Sequence, residues 1–219
     1  DYHYLERTSV LKATAWKFDF RTRVYGRYGT GKNLPAESAL FFSGGNPEEM
    51  MDSKYYRAAG FFPQTFVNKY NDDINHFQFG GGLNMRGYAG YLLAEEDKYG
   101  VVMPAYKGSS GFALNAEIDF NRIVPCKNQK LRNIFDLNTY LFGDAGAIAY
   151  SNSRSEQQLS QIRFDGGVGA ALTVKKWGPL QGIKPLTFCL DVPFFISNAP
   201  AVSQQHFDFR WVIGISRTF

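Results

Sequence analysis

The chain has 219 residues, 16% of them aromatic, with 20 Phe, 13 Tyr and 22 Gly. Aromatic side chains suit pleated surfaces and glycine suits turns and bulges. Its 24 basic and 20 acidic residues leave a net charge of +4, scattered without the dense basic cluster of a nucleic-acid footprint.

Mean hydropathy is -0.29, and the absence of any run of about 18 apolar residues excludes a spanning helix. Neither fact excludes a transmembrane barrel, because its lipid-facing and lumen-facing residues alternate and average out. The sequence begins at Asp1, almost directly in a strand, which suggests the C-terminal part of something longer. Cys126 and Cys189 fit no metal or redox spacing. A disulfide stays open for them, with unpaired thiols the preferred reading.

About six segments alternate with the period of two that marks strands. In the first, Val10, Trp16, Phe18, Phe20 and Val24 share one parity, and Lys17, Asp19, Arg21, Arg23 and Arg27 the other. No turn signal interrupts it, so it reads as one long strand. From Gly29 to Ser110 the alternation dissolves into a long insertion (residues 30–110). Leu34-Pro35 and Ser43-Gly44-Gly45-Asn46-Pro47 are turn chemistry. Glu48-Glu49-Met50-Met51, with Tyr55-Tyr56, suggests one short helix, and Phe61-Phe62-Pro63 an apolar knot. Asn75 to Phe79 suggests an extended piece feeding the glycine run Gly80-Gly81-Gly82. A loop this long is usually functional.

The second strand, Gly111 to Phe120, sets Phe112, Leu114, Ala116, Ile118 and Phe120 against Asn115, Glu117 and Asp119. After a solvated turn from Asn121 to Asn133, the third runs from Asn138 to Tyr150, with Leu141, Ala145 and Ala147 opposing Tyr140, Phe142 and Asp144. The fourth, Ile162 to Val174, sets Ile162, Phe164, Val168, Leu172 and Val174 against Arg163, Asp165, Gly167 and Gly169. Trp177-Gly178-Pro179 ends it. The fifth, Leu186 to Ile196, sets Leu186, Phe188, Leu190, Val192, Phe194 and Ile196 against Thr187, Cys189 and Asp191. The last sets Phe207, Phe209, Trp211, Ile213, Ile215 and Phe219 against Asp208, Arg210, Gly214, Ser216 and Thr218.

Two all-β architectures carry such patterns. A soluble sandwich turns its apolar faces to a second sheet; a membrane barrel turns them to lipid and its polar face to a wet lumen. The charge on the polar face and the terminal Phe219 favour the barrel. Trp16, Trp177 and Trp211 fit either an interfacial aromatic girdle or ordinary strand packing.

Five segments resemble, in order, the C-terminal barrel of the BamA-type superfamily of outer-membrane insertases and two-partner secretion transporters. They are Leu34-Pro35 through Phe42-Ser43-Gly44-Gly45, Met85-Arg86-Gly87-Tyr88, Ala116-Glu117-Ile118, Phe142-Gly143-Asp144-Ala145-Gly146, and Trp211 to Phe219. The second resembles the Arg-Gly-aromatic motif of loop six, and the fourth the Phe-x-Asp-x-Gly motif. The last resembles a terminal β-signal, carried by Trp211, Gly214 and Phe219. Three departures stand out: the insertion Pro47 to Ile74, Arg217 in place of an apolar residue, and no polypeptide-transport-associated repeats.

The resemblance implies one antiparallel transmembrane barrel segment over residues 1–219, part of a barrel of about sixteen strands. It implies a bacterial outer-membrane location, and a role in outer-membrane protein assembly, insertion or protein translocation. The partners would be outer-membrane lipid and client or partner proteins in a multi-protein complex, with no nucleic acid. Arg86 would be buried inside, where a guanidinium needs a planar carboxylate partner. The pairing expected is Arg86–Asp144 with Glu117 nearby, fixing the loop through Arg86, Gly87 and Tyr88; a solvated loop arginine is the alternative. No catalytic residue, cofactor or metal is expected. His76 and His206 lack ligand spacing, and no helix start follows Gly80, Gly81 and Gly82 to cradle a phosphate.

A second resemblance, over Gly80 to Tyr91, is to the barrel end of large Bacteroidota envelope proteins with an N-terminal zinc-aminopeptidase-like domain. There the barrel would be an anchor, and any enzyme would lie upstream.

Overall fold

A computed structural model describes residues 1–31, 34–51, 76–120, 133–175, 186–198 and 205–215. Trp177, Cys126, Arg217, Phe219, Tyr55-Tyr56, Phe61-Phe62-Pro63 and nearly all of the Pro47–Ile74 insertion therefore fall outside the described residues.

The elements, in chain order, are β1 (Tyr2–Ala15), β2 (Phe18–Gly31), β3 (Leu40–Phe41), α1 (Pro47–Met51) and β4 (Phe77–Phe79). A single 3-10 turn, Arg86–Tyr88, follows, then β5 (Ala94–Glu96), β6 (Val102–Pro104) and β7 (Lys107–Gly108). The remaining strands are β8 (Ser110–Asp119), β9 (Phe135–Ser151), β10 (Gln157–Leu159), β11 (Arg163–Val174), β12 (Leu186–Ile196) and β13 (Val212–Ile215). The chain is all-β, and its main sheet curls into a half-barrel. The strand order is β1-β2-β8-β9-β11-β12-β13-β4, with β10 paired to β9. Every pairing is antiparallel except that of β4 with β13, which is parallel. Among the described residues no helix is long and apolar enough to cross a membrane.

The alternation sorts residues to two faces. On the outer face Phe112, Leu114, Leu141, Phe164, Val168, Leu172, Phe188, Leu190 and Phe194 are all exposed. On the inner face Asn115, Glu117, Asp119, Tyr140, Phe142, Asp144, Arg163, Asp165 and Asp191 are buried. Part of the cover is the long insertion: it folds back onto the inner face, and Phe42, Leu83, Met85 and Tyr88 pack against Tyr25 of β2 and Tyr150 of β9. Among the described residues no second sheet covers the outer face.

The structure corrects several of these expectations. The single long first strand is a hairpin, β1 and β2, turning at Trp16-Lys17. No glycine or asparagine marks that turn; Trp16 itself takes the left-handed conformation, with φ 59°, and is 93% exposed. A residue pair such as Val10 and Arg23 lies directly opposite in the ladder, so Val10 faces inward with Arg23 rather than outward with Val24. On β12 the register shifts where Gly166 and Gly167 meet Phe195 and Pro193. The extra residue is a bulge that reverses the alternation beyond it, so Ile196 is buried although Phe194 is exposed. Leu186 is buried as well. On β9 Ala147 keeps its outward parity, directly opposite the exposed Phe112, although it is itself buried. Among the described residues the last ladder is Val212–Ile215, and Trp211 precedes it.

Candidate functional site

The glycine run is the hinge of the inserted loop. Gly82 has φ +52°, and a Cβ there would lie 2.6 Å from the Gly44 carbonyl oxygen. A Cβ on Gly81 would lie 3.0 Å from the Gly45 Cα. The two glycine segments pack backbone against backbone, an approach only glycine permits. Beyond them Leu83 and Met85 enter the core, and the 3-10 turn carries Arg86 onto the inner wall.

Arg86 is 3% exposed. Its Nε and Nη2 donate to the Asp144 carboxylate, each at 2.8 Å, in a bidentate fork. Nη1 donates to Glu117 Oε1 at 2.6 Å and lies 3.9 Å from Asp191 Oδ1. Phe142 stacks under the guanidinium, 3.8 Å from ring centre to Cζ. β8, β9 and β12 thus each supply a carboxylate to one loop side chain. A buried guanidinium is tolerable only when its donors are satisfied this way.

The carboxylates are themselves held. Asn115 Nδ2 donates to Asp144 Oδ1 at 3.0 Å and to the Leu83 carbonyl at 3.2 Å. Tyr140 donates its hydroxyl to Asp191 Oδ1 at 2.7 Å. Gly87 lies flat against β11 and β12: a Cβ there would meet Asp165 Cβ at 2.6 Å and Ile196 Cγ2 at 2.7 Å. The Tyr88 hydroxyl lies 3.2 Å from Ser197 Oγ and accepts the Asn198 N–H at 3.1 Å. A second buried pair, Arg163–Glu95 at 2.7 Å, ties the segment after the turn to β11.

Arg86, Gly87, Tyr88, Glu117 and Asp144 therefore converge. Gly80, Gly81 and Gly82 sit at the loop's entrance, where the Gly80 N–H donates to the Ile215 carbonyl at 3.2 Å. Trp211 and Gly214 lie apart from the cluster, just before and within β13, and His76 stacks on Trp211 with ring centres 3.8 Å apart. Phe219 lies outside the described residues. The motifs did not point to Asn115, Asp191, Arg23 or Glu49. Asn115 and Asp191 were placed on the polar faces by alternation, but only the sheet order brings them to Arg86.

The cluster holds backbone in place. Among the described residues no group of three or more His, Cys, Asp or Glu side chains could hold a metal ion. Searches of family models and of curated proteins returned no match to the chain.

Proposed function

We propose that the chain is the wall and locked inner loop of a bacterial outer-membrane β-barrel resembling the BamA-type superfamily. It would act in outer-membrane protein assembly, insertion or protein translocation. The observation that carries this reading is the division of one sheet into two faces. The outer face is a continuous exposed surface of Phe, Leu and Val, far beyond the scattered apolar residues of a soluble surface. The inner face is charged and covered by the chain's own loop. Lipid on one side and a lumen on the other account for both. The Arg86–Asp144–Glu117 arrangement supports the family resemblance, because it joins the two motifs on which that resemblance is most specific.

Mechanically, the lock braces the wall while strand edges remain the groups that template a client strand. The packed interior favours action at the wall over passage through the centre at the level of Met85 and Tyr88. The same packed interior favours a second reading, a membrane anchor for an upstream zinc-aminopeptidase-like domain.

One experiment separates them. The full-length protein is reconstituted in vesicles, and the rate at which an unfolded outer-membrane protein folds into those vesicles is measured. Acceleration that disappears in Arg86→Ala supports assembly. Stable integration without acceleration supports the anchor. Failure to integrate at all overturns both.

A further inference from the structure

The short helix α1 is held by a reciprocal box: the Glu49 N–H donates to Asn46 Oδ1, and the Asn46 N–H donates to Glu49 Oε2, each at 2.8 Å. Such a box satisfies the first-turn amides with side chains three residues apart. It uses only one of the Glu49 oxygens. The other, Oε1, accepts the Gly82 N–H at 2.9 Å, across 33 residues of chain. The opposite side of the same residue is gripped too: Arg23 Nη2 of β2 donates to the Gly82 carbonyl at 2.7 Å, and its Nη1 to Asn115 Oδ1 at 2.9 Å. Gly82 is thus clamped between an acid on the inserted helix and a base on the wall. The residues flanking Glu49 reach further partners. Glu48 accepts the Tyr4 hydroxyl of β1 at 3.1 Å, and Met50 packs with Phe79 of β4, against which Ile215 of β13 also lies.

We propose that Glu49 is a second positioning residue of the inserted loop. Through the Gly82 N–H it holds the glycine run and β4 in place by a contact that Arg86 does not share. The two anchors divide the labour. Arg86 fixes the depth of the turn on β8 and β9. Glu49 fixes the loop's entrance, between β2 on one side and the β4–β13 ladder on the other. Releasing Arg86 then frees the segment from Leu83 to Tyr88 while β4 stays paired with β13. This proposal rests on the loop being held by Arg86, not on the membrane reading, and its readout is indifferent to client folding.

The test is amide hydrogen exchange of the full chain in detergent, comparing wild type, Glu49→Ala, Glu49→Gln, Arg86→Ala and the double alanine variant. Glu49→Ala should speed exchange over Phe77–Gly82 by about ten- to a hundred-fold, the range expected for a lost charge-assisted hydrogen bond, with Arg86–Tyr88 little changed. Glu49→Gln keeps one carbonyl acceptor and should lie between. Arg86→Ala should do the converse, and the double variant should show both effects. Arg23→Ala should also speed exchange over Phe77–Gly82 and, because Arg23 holds Asn115 and Asn115 holds Asp144, reach partly into Arg86–Tyr88. Three results would overturn the proposal: no change over Phe77–Gly82 in Glu49→Ala, no difference between Glu49→Gln and wild type, or loosening by either alanine of the whole span Phe77–Tyr88 together. If Glu49→Ala fails to fold, Glu49→Gln carries the comparison.

Discussion

Arg86 meets Asp144 in a fork, Glu117 through a third hydrogen bond and Asp191 at longer range. Removing one partner of such a cluster leaves uncompensated buried charge, which typically costs ~3–5 kcal/mol. Arg86→Ala and Asp144→Ala should each lower the denaturation midpoint in a urea titration by the corresponding amount. Exchanging the charges, Arg86→Glu with Asp144→Arg, should rescue only in part. The new glutamate would face Glu117 and Asp191, so full rescue would mean those two contribute nothing. Glycines give a sharper comparison. Gly87→Ala drives a methyl into Asp165 and Ile196 and should cost ~1–3 kcal/mol as overpacking. Gly143→Ala, whose added Cβ has its nearest neighbour at 3.8 Å, should be near neutral in the same denaturant titration. The Arg86–Asp144 pair was legible because two short motifs named its ends. Asp191 was not, because a register fixed by sheet pairing decides whether an inward aspartate reaches the arginine. Glu49 was seen only as part of a short helix, since nothing local says that its second oxygen serves a glycine 33 residues on.

Strands β8, β9, β11 and β12 could be read from alternation because each has one greasy and one polar face along most of its length. The β1–β2 hairpin could not, because Trp16-Lys17 carries no turn chemistry and the period continues through it. The β12 bulge was hidden for the opposite reason: Val192, Phe194 and Ile196 keep an unbroken apolar parity, while the backbone slips by one residue. The small elements of the insertion are held by side chains rather than by pattern. The β5–β6 hairpin is fastened to the β9–β10 turn by Lys98–Glu156 at 2.7 Å and by Asp97, which accepts the Ser153 N–H at 3.0 Å. Hydrogen bonds from Lys98, Asn152 and Tyr99 pull the Glu156 carboxyl down to about 2. Burial works against Asp97, but hydrogen bonds from Ser153 and the Val101 N–H outweigh it, and its carboxyl too lies well below the usual range. A carboxyl depressed in the folded state stabilises fully above its unfolded value, near pH 4, and loses that contribution as pH falls through the folded value. The hairpin should therefore stay fastened through mild acid. Spin labels at Val102→Cys and Leu159→Cys should report one distance from pH 7 to pH 4, broadening only toward pH 2. Broadening between pH 5 and pH 4 would mean that these carboxylates are not held down by the tie.

At the scale of the whole molecule, the half-barrel turns its apolar residues outward and its charges inward, the inverse of a soluble core. Composition alone left this undecided, since mean hydropathy is the same whichever face is wet. Side-chain exposure also leaves the solvent open, because a residue accessible to water in the structure is equally accessible to lipid. A pair of substitutions separates the two. Leu141 on β9 is 46% exposed and Val102 on β6 is 66% exposed, so in water an arginine at either site should shift stability by no more than ~0.5 kcal/mol. In a bilayer the sites part company. Leu141 lies within the main sheet, where an arginine on the lipid face costs ~2–4 kcal/mol at mid-depth. Val102 belongs to the small β5–β6 hairpin outside that sheet, where the cost should stay near zero. Reversible denaturant unfolding from vesicles should therefore show Leu141→Arg destabilised by an amount that Val102→Arg does not share. Repeating the comparison at Leu114 and Leu190, outward on β8 and β12, tests whether the cost follows the face around the wall. Equal, small effects at all these positions would place the outer face in water and remove the basis for the membrane reading.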